Sequence, residues 1–139
     1  MAKVLTIKNP WATLIADGIK DVENRTWKTN FRGRVLIHAA ARPATESLSL
    51  NNLLTEAQKA AIMQRKKIVD YLCHRWVDGA IIGSVEIYDV VQTDESIWAN
   101  AEPYNWLLRN PVKYTNPLEI KGKLGIWEID DELVKDLGV

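Results

Sequence analysis

Residues Ala80 to Val91 restrict the fold of this chain more than any other segment. The run is long, rich in β-branched residues and free of proline, and it predicts a strand. Alternation places Ile82, Ser84, Glu86, Tyr88 and Val90 on one face. It places Ile81, Gly83, Val85, Ile87, Asp89 and Val91 on the other. A strand of this kind needs a sheet around it, and the rest of the chain supplies one. Segments 3–8, 21–27, 35–39, 104–108, 113–120 and 123–129 also read as strands, with Asn110-Pro111 interrupting the fourth and fifth.

The helical signals fall between them. Asn9 is a favoured N-cap and Pro10 suits a first helical position; Trp11, Leu14 and Ile15 follow at helical spacing until Gly18 closes the helix. Segment 44–78 is helical in character, with a break expected near Asn51-Asn52. Thr55 and Gln58 have capping-box spacing, and Ile68, Leu72 and Trp76 form a stripe. Arg65, Lys66 and Lys67 lie off that stripe, and a short acidic helix is expected over 130–137. Five or six strands, a short helix after the first and one long helix after the third predict an α+β fold: a small curled or closed sheet with helices packed outside.

Composition bounds what such a fold can do. At 139 residues, 47% apolar and 26% charged, the chain suits a single domain over residues 1–139, with no repeat, linker or low-complexity segment. Cys73 is the single cysteine, so no internal disulfide can form and the reducing cytoplasm is the expected location. Cys73, His38 and His74 fall short of the roughly four ligands that structural zinc requires, so no metal or other cofactor is expected. Residues 1–8 lack the apolar core of a signal peptide, and no run reaches the ~18 apolar residues of a membrane span. No membrane association and no obligate protein partner are therefore expected.

The formal charge is zero, yet unevenly spread. Residues 1–43 hold eight basic and three acidic side chains, net +5; residues 44–78 are net +1 and residues 79–139 net −6. Neutrality argues against indiscriminate coating of nucleic acid, while the basic segment permits a local anionic contact. Tryptophan is the other compositional signal, with six beside a single phenylalanine. Its large apolar body and N–H donor serve both cores and surfaces that stack planar ligands.

The chemistry-bearing pattern in the basic segment is Gly18-x-Lys20-x-x-Glu23-x-Arg25. It sits where the first helix gives way to the second strand, a place where a side chain can be held over a cleft. Lys20 offers a point charge to a phosphate or carboxylate, and Arg25 offers a planar fork that also stacks on bases. Glu23 shares a strand face with Arg25 and Trp27, so it can orient the guanidinium. The plain alternative is a surface ion pair worth ~0–1 kcal/mol. Glu86, flanked by Ser84 and Tyr88, is a carboxylate within an apolar strand. It either faces solvent or meets a cation such as Lys20 or Arg25. His38 reads as a satisfied half-buried histidine and His74 as a residue on the wet side of its helix.

Several blocks taken in order carry a family resemblance. They are Asn9-Pro10-Trp11-Ala12, the stretch from Gly18 to Trp27, and the stretch from Gly33 to Ala40. Ile82 to Ile87, Trp106-Leu107-Leu108 and Pro117 to Trp127 continue the series. Together they resemble the ASCH (activating signal cointegrator homology) domain, a relative of the PUA fold, over nearly the whole chain. The resemblance implies a PUA-like barrel with a cleft beside the first helix that binds RNA or a nucleotide-like small molecule. Trp11, Lys20, Glu23, Arg25, Trp27 and Ser84 are then the candidate ligand-binding residues.

Some ASCH-like proteins are similar to amidohydrolases that remove an acyl group from a modified cytidine, using a Lys, a Thr three positions later and a strand Glu. Lys20 and Glu86 match two of these positions and are the candidate catalytic residues under that alternative. The Thr position is Glu23, which has no hydroxyl, and Thr26 is displaced onto the other strand face. A ribonuclease is a further enzymatic alternative, and a protein adaptor using the Arg65-Lys66-Lys67 run is a third reading. The residues favour a binding module over an enzyme.

Overall fold

The computed structural model describes residues 1–65 and 67–137. Six strands form one sheet: β1 (Ala2–Ile7), β2 (Val22–Arg25), β3 (Gly33–Ala39), β4 (Ala80–Val91), β5 (Tyr104–Glu119) and β6 (Ile126–Ile129). Their order is β2-β5-β4-β3-β1-β6. β1 and β3 run parallel, and the other neighbours are antiparallel. β4 covers the anticipated run residue for residue, between β3 and β5.

Simple alternation does not describe β4. Ile82, Val85 and Ile87 share one core cluster, although alternation sets Ile82 opposite the other two. Register shifts interrupt the ladder with β5 between Ile81 and Gly83, Ser84 and Glu86, and Ile87 and Asp89. Each irregularity re-aims the side chains that follow it. The two strands expected over 104–120 are likewise one strand, β5, which bends through Asn110 (φ 54°) rather than stopping. Asparagine tolerates that left-handed conformation better than most residues.

The first helix is α1 (Trp11–Ala16), and all of it except Trp11 is buried. Its backbone cap is Pro10, yet Asn9 does the capping chemistry: its Oδ1 accepts from the Thr13 amide (2.9 Å) and hydroxyl (2.6 Å). Gly18 takes φ +77° and ends the helix as its sequence position implies.

The single long helix expected over 44–78 is not formed. The segment divides into a 3₁₀ turn (Ala44–Glu46) and α2 (Leu50–Leu53), α3 (Glu56–Gln64) and α4 (Ile68–Leu72). The break falls at Leu54-Thr55 rather than Asn51-Asn52, because Thr55 and Gln58 close a full capping box at the start of α3 (3.1 and 3.0 Å). Such side-chain bonds stabilise a helix start at the expense of continuation from the preceding one. The Ile68-Leu72-Trp76 stripe also fails. Tyr71 is the buried residue of α4 and Leu72 is exposed, since the chain leaves helical geometry by His74 (φ 51°). Lys66, within the basic run, lies outside the described residues. A short α5 (Asp131–Val134) follows β6.

Three apolar clusters hold the elements together. The central one joins α1 to the inner faces of β1, β3, β4 and β5, with Trp106 fully buried in it. A second packs α2, α3 and α4 on Leu14, Ile19, Val22 and Trp98. A third lies around Val4, Leu36, Ile81 and Trp127. The sheet is curled, and side chains reach across where its ladder stops. Arg25, at the end of β2, donates from Nη2 to the Thr6 carbonyl of β1 (2.9 Å). Trp27 lies against Gly125, just before β6. Among the described residues, no helix is long and apolar enough to cross a membrane.

Candidate functional site

The turn that ends α1 sets the position of Lys20. The amides of Ile19 and Lys20 both donate to the Leu14 carbonyl (3.0 Å each), which draws the chain back over the helix end. Lys20 is only 4% exposed. Its ammonium donates to the Val22 carbonyl, stands 3.6 Å from Glu23 Oε1 and lies 5.9 Å from the centroid of the Trp11 ring. Burial pushes the Lys20 pKa below the ordinary lysine range, with the Glu23 charge opposing that shift. Glu23 Oε2 accepts from Arg25 Nε at 2.9 Å, so the expected Glu23–Arg25 face exists. Glu23 thus stands between two cations, and Arg25 continues to Thr6.

A cleft of about 340 Å³ opens over Lys20 and Glu23. Trp11 and Trp98 supply aromatic surface, Thr55 and Gln58 reach it from α3, and Asn24 and Asn100 complete its polar lining. Most of the amides serve as framework. Asn24 donates to the Trp98 carbonyl (2.9 Å) and accepts from Asn100 N (3.2 Å) and Asn105 Nδ2 (2.9 Å). Gln58 accepts from Thr55 N and donates to the Ile97 carbonyl (2.8 Å). Donors in the lining without a hydrogen bond among the described residues include Asn100 Nδ2, the Thr55 hydroxyl, the Trp11 and Trp98 indole N–H groups and the third Lys20 proton. The cleft is therefore rich in donors and suited to a flat ligand that carries carbonyl or phosphate oxygens.

The residues singled out from sequence divide into those that meet here and those that do not. Trp11, Lys20 and Glu23 line the cleft, and Arg25 braces Glu23 from behind. Trp27 does not line it; it stands edge-on to Trp106 (centroids 4.7 Å, 88°) and is 38% exposed. Ser84 is buried elsewhere, its Oγ accepting from Arg34 (3.0 Å). Glu86 is not brought to Lys20. It accepts from Arg109 Nη2 (2.9 Å) and Asn110 Nδ2 (3.0 Å), and Arg109 covers the Tyr88 ring at 4.8 Å. The β4 register sets Glu86 opposite Arg34 and Arg109, so nearer cations hold it. Those bonds keep its carboxyl below the usual range. Sequence reading misses Trp98 and Asn100, which lie in a polar loop without periodic signal, and recognises Thr55 and Gln58 only as a helix cap.

His38 is buried and bonded at both ring nitrogens. Nε2 donates to the Ile120 carbonyl (2.7 Å), and Nδ1 faces the Thr6 hydroxyl (3.3 Å), which accepts from Trp127 Nε1 (3.0 Å). Since a carbonyl only accepts, Nε2 carries a hydrogen, and the ring acts as a fastener. His74 is exposed and stacks on Trp76. No group of three or more His, Cys, Asp or Glu side chains able to hold a metal occurs among the described residues.

The ASCH domain family model matches residues 5–123. Activating signal cointegrator 1 of Homo sapiens is 29% identical over 137 residues, and that of Mus musculus 28%. Each alignment covers 93% of this chain but 22% of the relative, so the chain spans about a fifth of the length of these proteins. Among solved structures, the ASCH protein of Zymomonas mobilis superposes with TM-score 0.55 at 15% identity, covering 96% of this chain and 91% of that one. A serine-to-alanine mutant of the same Zymomonas mobilis protein gives TM-score 0.56, with 92% of that chain covered. These structures establish a shared fold.

Proposed function

This chain belongs to the ASCH domain family, and from that premise we propose that it is a binding module for RNA or a modified nucleotide, with the cleft over Lys20 and Glu23 as the base site. The supporting observation is the meeting, in one concave site, of a buried cation–carboxylate pair with two tryptophans and unused donors. A base stacks on Trp11 while Lys20, Asn100 and Thr55 donate to its carbonyl or phosphate oxygens; stacking of this kind is worth ~1–3 kcal/mol per base. Arg25 acts as a positioning residue, since its guanidinium fixes the Glu23 carboxylate. Trp27 and Ser84, named from sequence as ligand contacts, have no part in this cleft.

Binding is preferred to hydrolysis through Lys20 and Glu86 because Glu86 is engaged by Arg109 and Asn110 and does not line the cleft. The test is a titration of nucleosides and short RNAs followed by tryptophan fluorescence and amide NMR. The expected result is a saturable change that Lys20→Ala removes and Arg25→Ala weakens several-fold. A change indifferent to both substitutions overturns the reading. Conversion of N4-acetylcytidine that Lys20→Ala abolishes would replace it with the enzymatic one.

A further inference from the structure

A second concavity, of about 780 Å³, is bordered by Thr6, the β1 residue that the Arg25 guanidinium reaches. Thr6, whose carbonyl receives the Arg25 Nη2 proton, lines it together with His38, Ala40, Ile120, Gly122 and Leu124. Segment 120–125 is fixed over this hollow at several points. His38 Nε2 and the Gly79 carbonyl hold Ile120 (2.7 and 3.2 Å), and the Thr6 amide reaches the Gly125 carbonyl (3.5 Å). Gly122 is pressed onto the imidazole so closely that a Cβ there would overlap the ring. The side chains the segment carries have no such anchorage. Leu124 is 96% exposed, and Lys121 and Lys123 make no hydrogen bond or ion pair among the described residues.

The cations as a set make this location unusual. Among the described residues, Lys8, Lys28, Arg42, Lys121 and Lys123 are the basic side chains without a hydrogen bond or ion pair. Lys121 and Lys123 line the hollow, and Lys8 and Arg42 follow the lining residues Thr6 and Ala41 by two positions and one. Lys28 adjoins Trp27, whose ring lies beside Gly125 at the end of the same segment. Glu119 is the one acid in the lining, and neighbouring Asp78 already accepts from Asn9.

We infer that this hollow is a second anion site, taking the phosphates of single-stranded RNA adjacent to the nucleotide held in the first cleft, with Trp27 as the stacking surface for a neighbouring base. The inference rests on the reading of the first cleft as a base site. Unpaired cations around a concave, partly apolar floor match a chain of phosphates and bases better than a flat lipid surface. Arg25 joins the two sites directly: one guanidinium donates from Nε to Glu23 of the first and from Nη2 to the Thr6 carbonyl of the second, each at 2.9 Å.

The experiment titrates the full chain with hexauridylate, with cytidine and with anionic phospholipid vesicles, reading amide shifts and the salt dependence of affinity. Hexauridylate is expected to shift the amides of residues 121–124 and the Trp27 indole, beside those of the first cleft. Cytidine is expected to shift the first cleft alone. Lys121→Ala/Lys123→Ala should reduce the slope of log affinity against log salt by about 1.4, the loss of two contacts at ~0.7 each for a single strand, and leave cytidine binding unchanged. Hexauridylate shifts confined to the first cleft, with an unchanged slope, would overturn the second site and leave the first standing. Shifts confined to residues 121–124 would support the second site and overturn the first. Vesicle binding without hexauridylate binding would overturn the second site in favour of lipid.

Discussion

Lys20 and Glu86 show how differently two ionisable residues fare in one fold. Lys20 is enclosed, and desolvation lowers its pKa despite Glu23 beside it. Between that lowered value and the ordinary 10.5, the unfolded chain binds more protons than the folded one. Stability from this group therefore rises as pH climbs through that window. Urea denaturation across an alkaline series should show the rise, and Lys20→Met should flatten it. Glu86 lies at the wet surface with Arg109, where an ion pair contributes little. Glu86→Gln should leave nucleoside affinity unchanged in the titration that detects loss in Lys20→Ala.

At the scale of elements, the segment between β3 and β4 consists of short helices that depend on their ends and their packing. Thr55 donates no contact to the core, yet it satisfies the Gln58 amide while Gln58 satisfies the Thr55 amide. Thr55→Ala should cost about 1 kcal/mol by chemical denaturation. It should also accelerate amide exchange within α3 more than in β4, because so short a helix is marginal without its cap. Gly122→Ala acts in the connection between β5 and β6. The new Cβ has no room beside His38, so the 120–125 segment must lift and the Ile120–His38 bond lengthen. The His38 Nε2 proton, buried and hydrogen-bonded, should exchange slowly in NMR, and its loss in the variant would register that change.

Across the whole molecule, stability centres on the cluster where α1 meets the curled sheet. Trp106 is fully buried there; its indole donates to the Trp27 carbonyl (3.2 Å), and Arg25 lies 6.0 Å from its ring. Trp106→Ala should destabilise the protein by about 3–5 kcal/mol in denaturant unfolding, the cost of a large cavity in a packed interior. It should also loosen the bridge from β2 to β1 through Arg25 and Trp27, and with it the link between the two concavities.

Local chemistry made much of this legible in advance. β4 was readable because β-branched residues run without a breaker from Ala80 to Val91, and the helix stop at Gly18 because positive φ favours glycine. The Glu23–Arg25 pair followed from the two-residue period of a strand. Local pattern could not place Trp98 and Asn100 beside Lys20, nor separate Glu86 from it, since register and bulges depend on partners far along the chain. Net charge shows the same division. Lys121 and Lys123 belong to the acidic part of the sequence, Lys8 and Arg42 to the basic part, and only the parallel pairing of β1 with β3 and the return of β5 gather them at one end of the sheet. Sequence alone determined the elements and their charges, because these depend on neighbours a few residues away. The tertiary structure decided which charges face each other, because that depends on contacts between residues far apart in the chain, such as Thr6 with Gly125 and His38 with Ile120.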